Sequence, residues 1–200
     1  MPRVTCAITM SADGFVAGPN QSLDEPLGVG GEALHHWMFQ STEDVDRELA
    51  GSMLDGVGAF IMGRNMFGGG RGPWSGDWRG WWGDDPPYHC PVFVLTHHPR
   101  EPVEMDGGTT FFFVTDGIEA ALASAREAAG DDDVMIAGGA SCVNQYLAAG
   151  VIDELVLHIA PVVLGDGARL FAGVGPDVTL EVLATSGSAA ATHVTYRVGG

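Results

Sequence analysis

The sequence has few basic residues, few cysteines and no long apolar run. Among its 200 residues, 9 are lysine or arginine and 26 are aspartate or glutamate, so the formal net charge is -17. A chain this acidic repels nucleic acid and anionic membrane surfaces, and we expect neither as a partner. No apolar run is long enough to span a bilayer, and the N-terminal residues show no secretory signal pattern.

The cysteines and paired histidines give no metal-ligand pattern. Cys6, Cys90 and Cys142 are odd in number and widely spaced, which predicts neither a disulfide framework nor a metal site and favours a reducing cytoplasm. His35 and His36 would project about 100° apart on a helix, so they would not share one metal. Zinc ligation by His97-His98 is an alternative, but no third and fourth ligand follows at suitable spacing.

Apolar segments alternate with helical patterns through most of the chain. A hydrophobic fraction of 46% and 200 residues predict one domain, residues 1–200, with a sizeable core. The predicted strands cover residues 3–10, 59–62, 92–95, 111–114, 134–137, 155–160, 178–183 and 192–198. The last three have no helices between them, and the final one alternates as an antiparallel strand with His193 on its solvent face. We therefore expect an α/β fold with a mixed, mostly parallel sheet and antiparallel C-terminal strands.

A double-glycine turn follows the buried strand at 134–137. Gly138 and Gly139 carry no Cβ, so another molecule can approach the backbone closely. The helix that follows directs free N–H groups and the positive end of its dipole to the same point. The turn is either a phosphate-binding site or an ordinary tight strand–helix connection.

Two further strand ends carry polar or basic groups. Gly63-Arg64-Asn65-Met66 turns from a strand into a helix, and Arg64 is either a phosphate ligand or a solvated surface residue. Thr96-His97-His98 ends the next strand without an acidic residue. A carboxylate at such a place suits a nicotinamide cofactor that lacks the 2′-phosphate, whereas a basic or hydroxyl cluster suits the phosphorylated form.

Five motifs occur in an order that resembles a known superfamily. They are residues 10–18 (MSADGFVAG), 61–64 (IMGR), 94–96 (VLT), 136–139 (IAGG) and 160–171 (APVVLGDGARLF). Together they resemble the dihydrofolate reductase-like superfamily and, within it, the branch of the reductase domain of bacterial riboflavin biosynthesis, the RibD C-terminal domain. The likeness covers nearly the whole chain. It implies a dihydrofolate reductase-like three-layer fold, an NADPH-dependent reductase activity and a homodimer.

The resemblance also implies a cofactor site. Residues 63–66 and 138–142 would flank the pyrophosphate, residues 96–98 would lie at the adenosine ribose and its 2′-phosphate, and residues 16–18 would border the nicotinamide. The expected cofactor-binding residues are Val16, Ala17, Gly18, Gly63, Arg64, Asn65, Met66, Thr96, His97, His98, Gly138, Gly139, Ala140, Ser141 and Cys142.

Three residues are candidates for proton transfer or substrate orientation. Folate reductases place an acid on the first helix, but here that helix reads LHHWM at 34–38 and the nearby acid is Glu32, which weighs against folate as the substrate. The candidates near the pocket are Asp13, Glu32 and His36. Asp13 has two interpretations, a substrate-orienting group or a turn aspartate that binds nearby amides.

The sequence leaves two classes of function open. One is an NADPH-dependent reductase of a small heterocycle or carbonyl, such as a pterin or an aminopyrimidine riboside, present as a lone reductase domain because no deaminase zinc motif occurs. The other is a non-catalytic nucleotide-binding or interaction protein on the same scaffold. The irregular segment 68–91 holds four tryptophans, which form either its own small core, a dimer contact or a pocket lid.

Overall fold

A computed structural model describes residues 2–68, 70, 72–74 and 76–200. Gly69, Arg71 and Ser75 of the tryptophan-rich segment lie outside the described residues, as does Met1. The strands of the described part are β1 Val4–Ser11, β2 Phe15–Ala17, β3 Val57–Gly63, β4 Pro91–Leu95, β5 Val103–Glu104, β6 Thr110–Val114, β7 Asp133–Gly138, β8 Glu154–Ala160, β9 Ala168–Arg169, β10 Thr179–Gly187 and β11 Thr192–Gly199. The helices are α1 His36–Phe39, α2 Asp44–Ser52, α3 Arg64–Phe67, α4 Ile118–Ala129 and α5 Ala140–Ala148, with 3-10 turns at Gly31–His35 and Asp106–Gly108.

Nine strands form one mixed sheet in the order β10-β11-β8-β1-β7-β3-β4-β6-β5. The six strands from β8 to β6 run parallel, whereas β5 on one side and β11 and β10 on the other run antiparallel to their neighbours. β2 and β9 pair in a separate small sheet. The predicted fold class, a mostly parallel α/β sheet with antiparallel C-terminal strands, is confirmed.

The central strands are buried on both faces, as their continuous apolar runs predict. Along β3, Ala59 and Ile61 join the larger core, while Phe60 and Met62 point into a second core on the other face. α4 covers the larger core with the buried stripe Ala121, Leu122, Ala125 and Ala129. It packs against β3 and β4, and this layer fixes the strand ends that carry the site.

The tryptophan-rich segment covers the second core. Trp74 packs edge-on against Phe67 and Phe113, and Trp82 stacks near Phe111. Trp78 Nε1 donates a hydrogen bond of 2.9 Å to the carbonyl of Phe67. Trp74, Trp78 and Trp82 therefore pack against the second core of the sheet, and this core is not confined to the irregular segment.

The C-terminal strands differ from prediction in one important respect. His193 was expected on the solvent face of β11, but only 3% of its surface is exposed. Asp46 of α2 binds its imidazole, and the Trp37 ring lies 4.9 Å from it, so helical residues cover this part of the sheet. The alternation along β11 is as predicted, but a strand's sequence does not reveal which neighbouring elements cover its polar face.

The sheet ends in an exposed edge strand. Every residue of β10 is exposed, and its apolar residues Leu180, Val182 and Leu183 are 39%, 57% and 43% exposed. An apolar edge strand with unpaired backbone groups is a surface on which another chain can pair. None of the helices in the described part of the chain is long and apolar enough to cross a membrane.

Candidate active site

A cavity of about 940 Å³ opens at the carboxyl ends of the parallel strands. The ends of β1, β3, β4, β6 and β7 reach it, which is where open α/β sheets bind ligands. All of the site residues predicted from the sequence line this cavity except Asp13, Gly18 and His98. The structure therefore brings together segments that are more than a hundred residues apart in the chain.

The double-glycine turn forms one wall. Gly138 has φ 135°, and a Cβ there would lie 3.3 Å from Met66 Sδ. Gly139 has φ -79° and is the N-cap of α5; a Cβ at this position would meet no atom within 4 Å. The peptide between the two glycines is cis. The turn therefore presents bare backbone and the positive end of α5 to an open space, as an anion site requires.

The second strand–helix junction lies directly beside the first. The β3–β7 register pairs Met62 with Gly138, and a Cβ at Gly63 would lie 3.4 Å from Cys142 Cβ. Two junctions predicted separately from sequence thus form one continuous backbone surface.

Arg64 supplies a cation at this surface. Its guanidinium carbon lies 3.1 Å from the Trp74 ring centroid, and its Nε donates to the carbonyl of Gly68 at 3.1 Å. Burial, and then the like charge of Arg100, lower the pKa of Arg64, but an arginine remains protonated at physiological pH. Arg100 lies near the same indole, 5.0 Å from its centroid.

The end of β4 contributes a hydroxyl and an imidazole. Thr96 and His97 line the cavity, and Thr96 Oγ1 accepts a 3.1 Å hydrogen bond from the amide of His98. His98 itself does not line the cavity; its carbonyl accepts a hydrogen bond from Trp74 Nε1. The predicted ligand set at this strand end therefore reduces to Thr96 and His97.

Sequence reasoning missed the start of α4 as part of the site. Thr115, Gly117 and Ile118 also line the cavity, so a second helix N-terminus faces it. The N-cap of α4 is Gly117, with φ 89° and no capping side chain. Residues 114–118 show the same strand–glycine–helix pattern as the junctions at Gly63 and Gly138, so this part of the site could have been predicted from the sequence.

The loop after β1 contributes Val16 and Ala17 but not Gly18. A Cβ on Gly18 would lie 2.0 Å from the carbonyl oxygen of Val29, so the glycine allows the backbone at 28–29 to pack against the loop. Gly18 therefore has a structural reason to lack a side chain and does not face the cavity.

Asp13 binds a neighbouring loop. Its carboxylate accepts hydrogen bonds from Ser11 Oγ at 2.6 Å and from the amides of Gly165 at 2.7 Å and Leu164 at 3.1 Å. The Ser11 bond and then the two amides lower the pKa of Asp13 from 3.8 to about 2. Because the folded-state pKa lies below the unfolded one, Asp13 stabilises the fold above about pH 4 and loses this effect as the pH falls toward 2.

The opposite wall carries ionisable groups. Glu32 and His36 both line the cavity from the 3-10 turn and α1, and His35 lies between them. Burial lowers the pKa of His35, and its Nδ1 has no hydrogen-bond partner within the described ranges. His158 of β8 also lines the cavity and was not identified from sequence, where it is one polar residue in a buried strand.

The cysteines are thiols of low reactivity. Burial raises the pKa of Cys142 to about 12 and that of Cys90 to about 11, and it raises the pKa of Cys6 well above its ordinary value. Cys142 lines the cavity, but a protonated, buried thiol is neither a nucleophile nor a metal ligand. Within the described residues, no group of three histidine, cysteine or acidic side chains is arranged to hold a metal.

The fold is an open α/β sheet with a cavity at the carboxyl ends of its parallel strands, the position at which such sheets bind ligands. The chain belongs to the RibD C-terminal domain family, which matches residues 2–194. The resemblance to the RibD C-terminal domain, expected from the sequence motifs, is thereby confirmed.

Three known proteins illustrate the relationship. The uncharacterized protein YyaP of Bacillus subtilis (strain 168) is 25% identical over 195 residues, which cover 92% of this chain and 87% of YyaP. A protein assigned to riboflavin biosynthesis in Shewanella sp. PV-4 has a similar structure, with a TM-score of 0.68, 23% identity and 99% of both chains covered. Enterococcus faecalis dihydrofolate reductase, solved with NADP(H) and RAB-propyl, aligns with a TM-score of 0.59 and 16% identity over 99% of this chain and 97% of the reductase. Solved structures of similar fold also include reductases of riboflavin biosynthesis.

Proposed function

We propose that this protein is an NADPH-dependent reductase that transfers hydride to a small heterocyclic or carbonyl substrate. The observation that carries the proposal is the meeting of two strand–helix junctions, at Gly63 and at Gly138-Gly139, on one wall of a single large cavity. Its volume is at the upper end of the usual range for small-molecule sites, enough for part of a dinucleotide and a small substrate.

The residues of the cavity fit the cofactor part by part. The open space at Gly139 and the N-terminus of α5 suit a pyrophosphate, with Asn65, Met66, Ala140, Ser141 and Cys142 around it. When bound, the cofactor supplies the hydride. Val16 and Ala17 border the position expected for the nicotinamide, where apolar groups exclude water from the reacting atoms.

The charge distribution favours NADPH over NADH. Thr96 and His97 line the cavity without a carboxylate beside them, and Arg64 and Arg100 place two cations against Trp74. In a chain of net charge -17, this local concentration of basic groups suits a 2′-phosphate. Arg64 is the arginine of this pair that lines the cavity, whereas Arg100 lies behind it against the same indole.

The substrate end of the cavity contains the candidates for proton transfer. Glu32 and His36 line it and can reach a bound molecule directly or through water. Asp13 is held by Ser11, Leu164 and Gly165, so we assign it the role of positioning the loop that carries Val16 and Ala17.

We also propose that the protein is a homodimer that pairs through β10. The tryptophans that first suggested self-association pack on the protein's own core, whereas β10 is exposed along its whole length. A second copy of the same strand is a partner of matching shape and hydrophobicity.

The experiment that tests the function is NADPH oxidation, followed at 340 nm, against a panel of pterins, quinones and aminopyrimidine ribosides. Turnover of at least one substrate, lost in the Gly139→Val protein, is the expected result. NADPH binding without turnover of any substrate would favour the non-catalytic nucleotide-binding alternative, and absence of NADPH binding would refute the proposal.

A further inference from the structure

A buried chain of three ionisable side chains, from α2, β11 and β8, leads to the cavity. His193 Nε2 lies 2.9 Å from Asp46 Oδ1, and His193 Nδ1 lies 2.8 Å from His158 Nδ1. The antiparallel register of β8 and β11 places the two histidines directly opposite each other. Their exposures are 0% for Asp46, 3% for His193 and 2% for His158, so the chain is shielded from bulk water.

Neighbouring side chains fix the orientation of each member. Ser188 Oγ donates a 2.8 Å hydrogen bond to the second oxygen of Asp46. Trp37 stacks on His158 at 4.3 Å, and its Nε1 donates to Thr9 Oγ1 at 3.1 Å. Burial alone would raise the pKa of Asp46, but hydrogen bonds from Ser41, His193 and Ser188 outweigh it and hold the pKa below its ordinary value. Asp46 is therefore an ionised acceptor.

These contacts determine where the protons lie. A carboxylate only accepts, so His193 carries a proton on Nε2. When both imidazoles are neutral, His193 Nδ1 must accept and His158 Nδ1 must donate, which leaves a lone pair on His158 Nε2. When the chain gains one proton, His193 becomes a cation beside Asp46 and donates from Nδ1, and the proton of His158 moves to Nε2.

The free end of the chain faces the cavity. His158 lines it, and Nε2 is buried without a hydrogen-bond partner in the described part of the chain. Burial, and then the charge of His193, lower the pKa of His158 to about 3. The charge of Asp46 raises this pKa, and the charge of His35 lowers it. The Asp46 carboxylate contacts His193 and not His158, so it stabilises a positive charge on His193 rather than on His158. Glu32, His35 and His36 also line the cavity, and the charge of His35 acts on His158.

We infer that Asp46, His193 and His158 form a proton relay whose cavity end, His158 Nε2, protonates the substrate during reduction. The inference rests on the proposed reductase function and identifies a proton donor for it. His158 is then a catalytic residue, because it would touch the substrate, and His193 and Asp46 are positioning residues that act through it.

The step balances in atoms and charge. The hydride forms a C–H bond at the substrate carbon of a C=N or C=O group, and the π electron pair moves onto the nitrogen or oxygen. That atom forms a bond to the proton of His158 Nε2 as the N–H bond breaks, and His158 Nδ1 takes the proton of His193 Nδ1. The relay ends one proton poorer and neutral in its imidazoles, and it regains a proton from water before the next turnover.

The first test is Asp46→Asn, which keeps the size of the side chain but removes the charge that stabilises the protonated relay. With a dihydropterin, which has a reducible C=N bond, as substrate, we expect kcat to fall about 10²-fold, the usual scale for a lost acid–base contribution. We expect NADPH affinity to change less than about twofold. The rate should also begin to decline at a pH that is lower by about one unit or more, because the neutral side chain of the variant no longer stabilises the imidazolium of His193. His89→Gln is the matched control, because His89 is exposed and does not line the cavity.

The second test needs no substrate and no variant. In ¹⁵N-histidine NMR of the unaltered protein, His158 should carry its proton on Nδ1 at high pH and gain one on Nε2 as the pH is lowered between about 9 and 5. If His158 Nε2 does not change protonation in this range, the relay is overturned. This result stands even if the Asp46→Asn protein does not fold or no substrate of the panel reacts.

The kinetic outcomes separate the relay from the function on which it rests. Absence of NADPH binding by the unaltered protein overturns both. If the Asp46→Asn protein turns over substrate with an unchanged rate and pH profile, the relay alone is overturned. If His36→Gln instead shows the fall in kcat and the shifted pH profile, proton donation is assigned to His36.

Discussion

Replacement of Gly139 by valine separates the cofactor site from the stability of the fold. A Cβ at this position meets no atom within 4 Å, and φ of -79° is open to any residue, so the protein should fold. Valine is a poorer N-cap than glycine, and we expect the free energy of unfolding to fall by no more than about 1 kcal/mol. The added side chain occupies the open space that a pyrophosphate would use.

The expected loss of affinity follows from the contacts that the anion would make. Displacing a pyrophosphate from two amides at the start of α5 removes hydrogen bonds to a charged group, worth about 1.5–3 kcal/mol each. At 1.4 kcal/mol per tenfold change, the Kd for NADPH should rise about 10²- to 10⁴-fold. The assay is quenching of protein fluorescence on addition of NADPH, with thermal unfolding measured on the same samples.

Two matched glycine variants complete the experiment. Gly51→Val adds the same side chain to α2, where a Cβ also meets no atom within 4 Å, and should leave NADPH affinity unchanged. Gly138→Ala should destabilise the fold by about 1–3 kcal/mol, because φ is 135° there. A Gly139→Val protein that binds NADPH as tightly as the unaltered protein would refute the reasoning and move the ligand elsewhere.

Three further predictions follow from other parts of the fold. Asp13→Asn should lower the melting temperature at pH 7, with the difference shrinking as the pH falls from about 4 to 2; a difference that is constant with pH would contradict the role of the carboxylate. Ellman's reagent should modify Cys6 and Cys142 only when the protein unfolds; rapid labelling of Cys142 in the native protein would show that the cavity wall opens, and rapid labelling of Cys6 would show that the core opens. Val182→Asp on β10 should convert a dimer into monomers in sedimentation velocity without loss of NADPH binding, whereas a monomeric unaltered protein at micromolar concentration would contradict the proposed dimer.

The parts of the fold that sequence predicted well are those with a local signature. The turn at Gly138-Gly139 follows four apolar residues and precedes an amphipathic helix, so strand, turn and helix are all encoded within about fifteen residues. The junction at Gly63 and Arg64 is likewise encoded locally, since it follows an apolar strand and begins a helix. Because parallel strands align their carboxyl ends at one sheet edge, local patterns of this kind are sufficient to predict which segments meet in the cavity.

The parts that sequence did not predict depend on contacts between distant segments. Asp46, His193 and His158 come from a surface-like helix and two C-terminal strands, and no short-range spacing links them. His193 alternates with apolar residues and therefore resembled a solvent-facing position. Asp13 illustrates the same limit, since the amides of Leu164 and Gly165 that bind its carboxylate lie about 150 residues away.

The central claim is that the cavity binds NADPH. Isothermal titration calorimetry of the unaltered protein with NADPH and, separately, with NADH tests it most directly. We expect one NADPH per chain and NADH at least about tenfold weaker for lack of the 2′-phosphate contacts. Equal affinity for the two cofactors, a preference for NADH, or no binding of either would contradict the account.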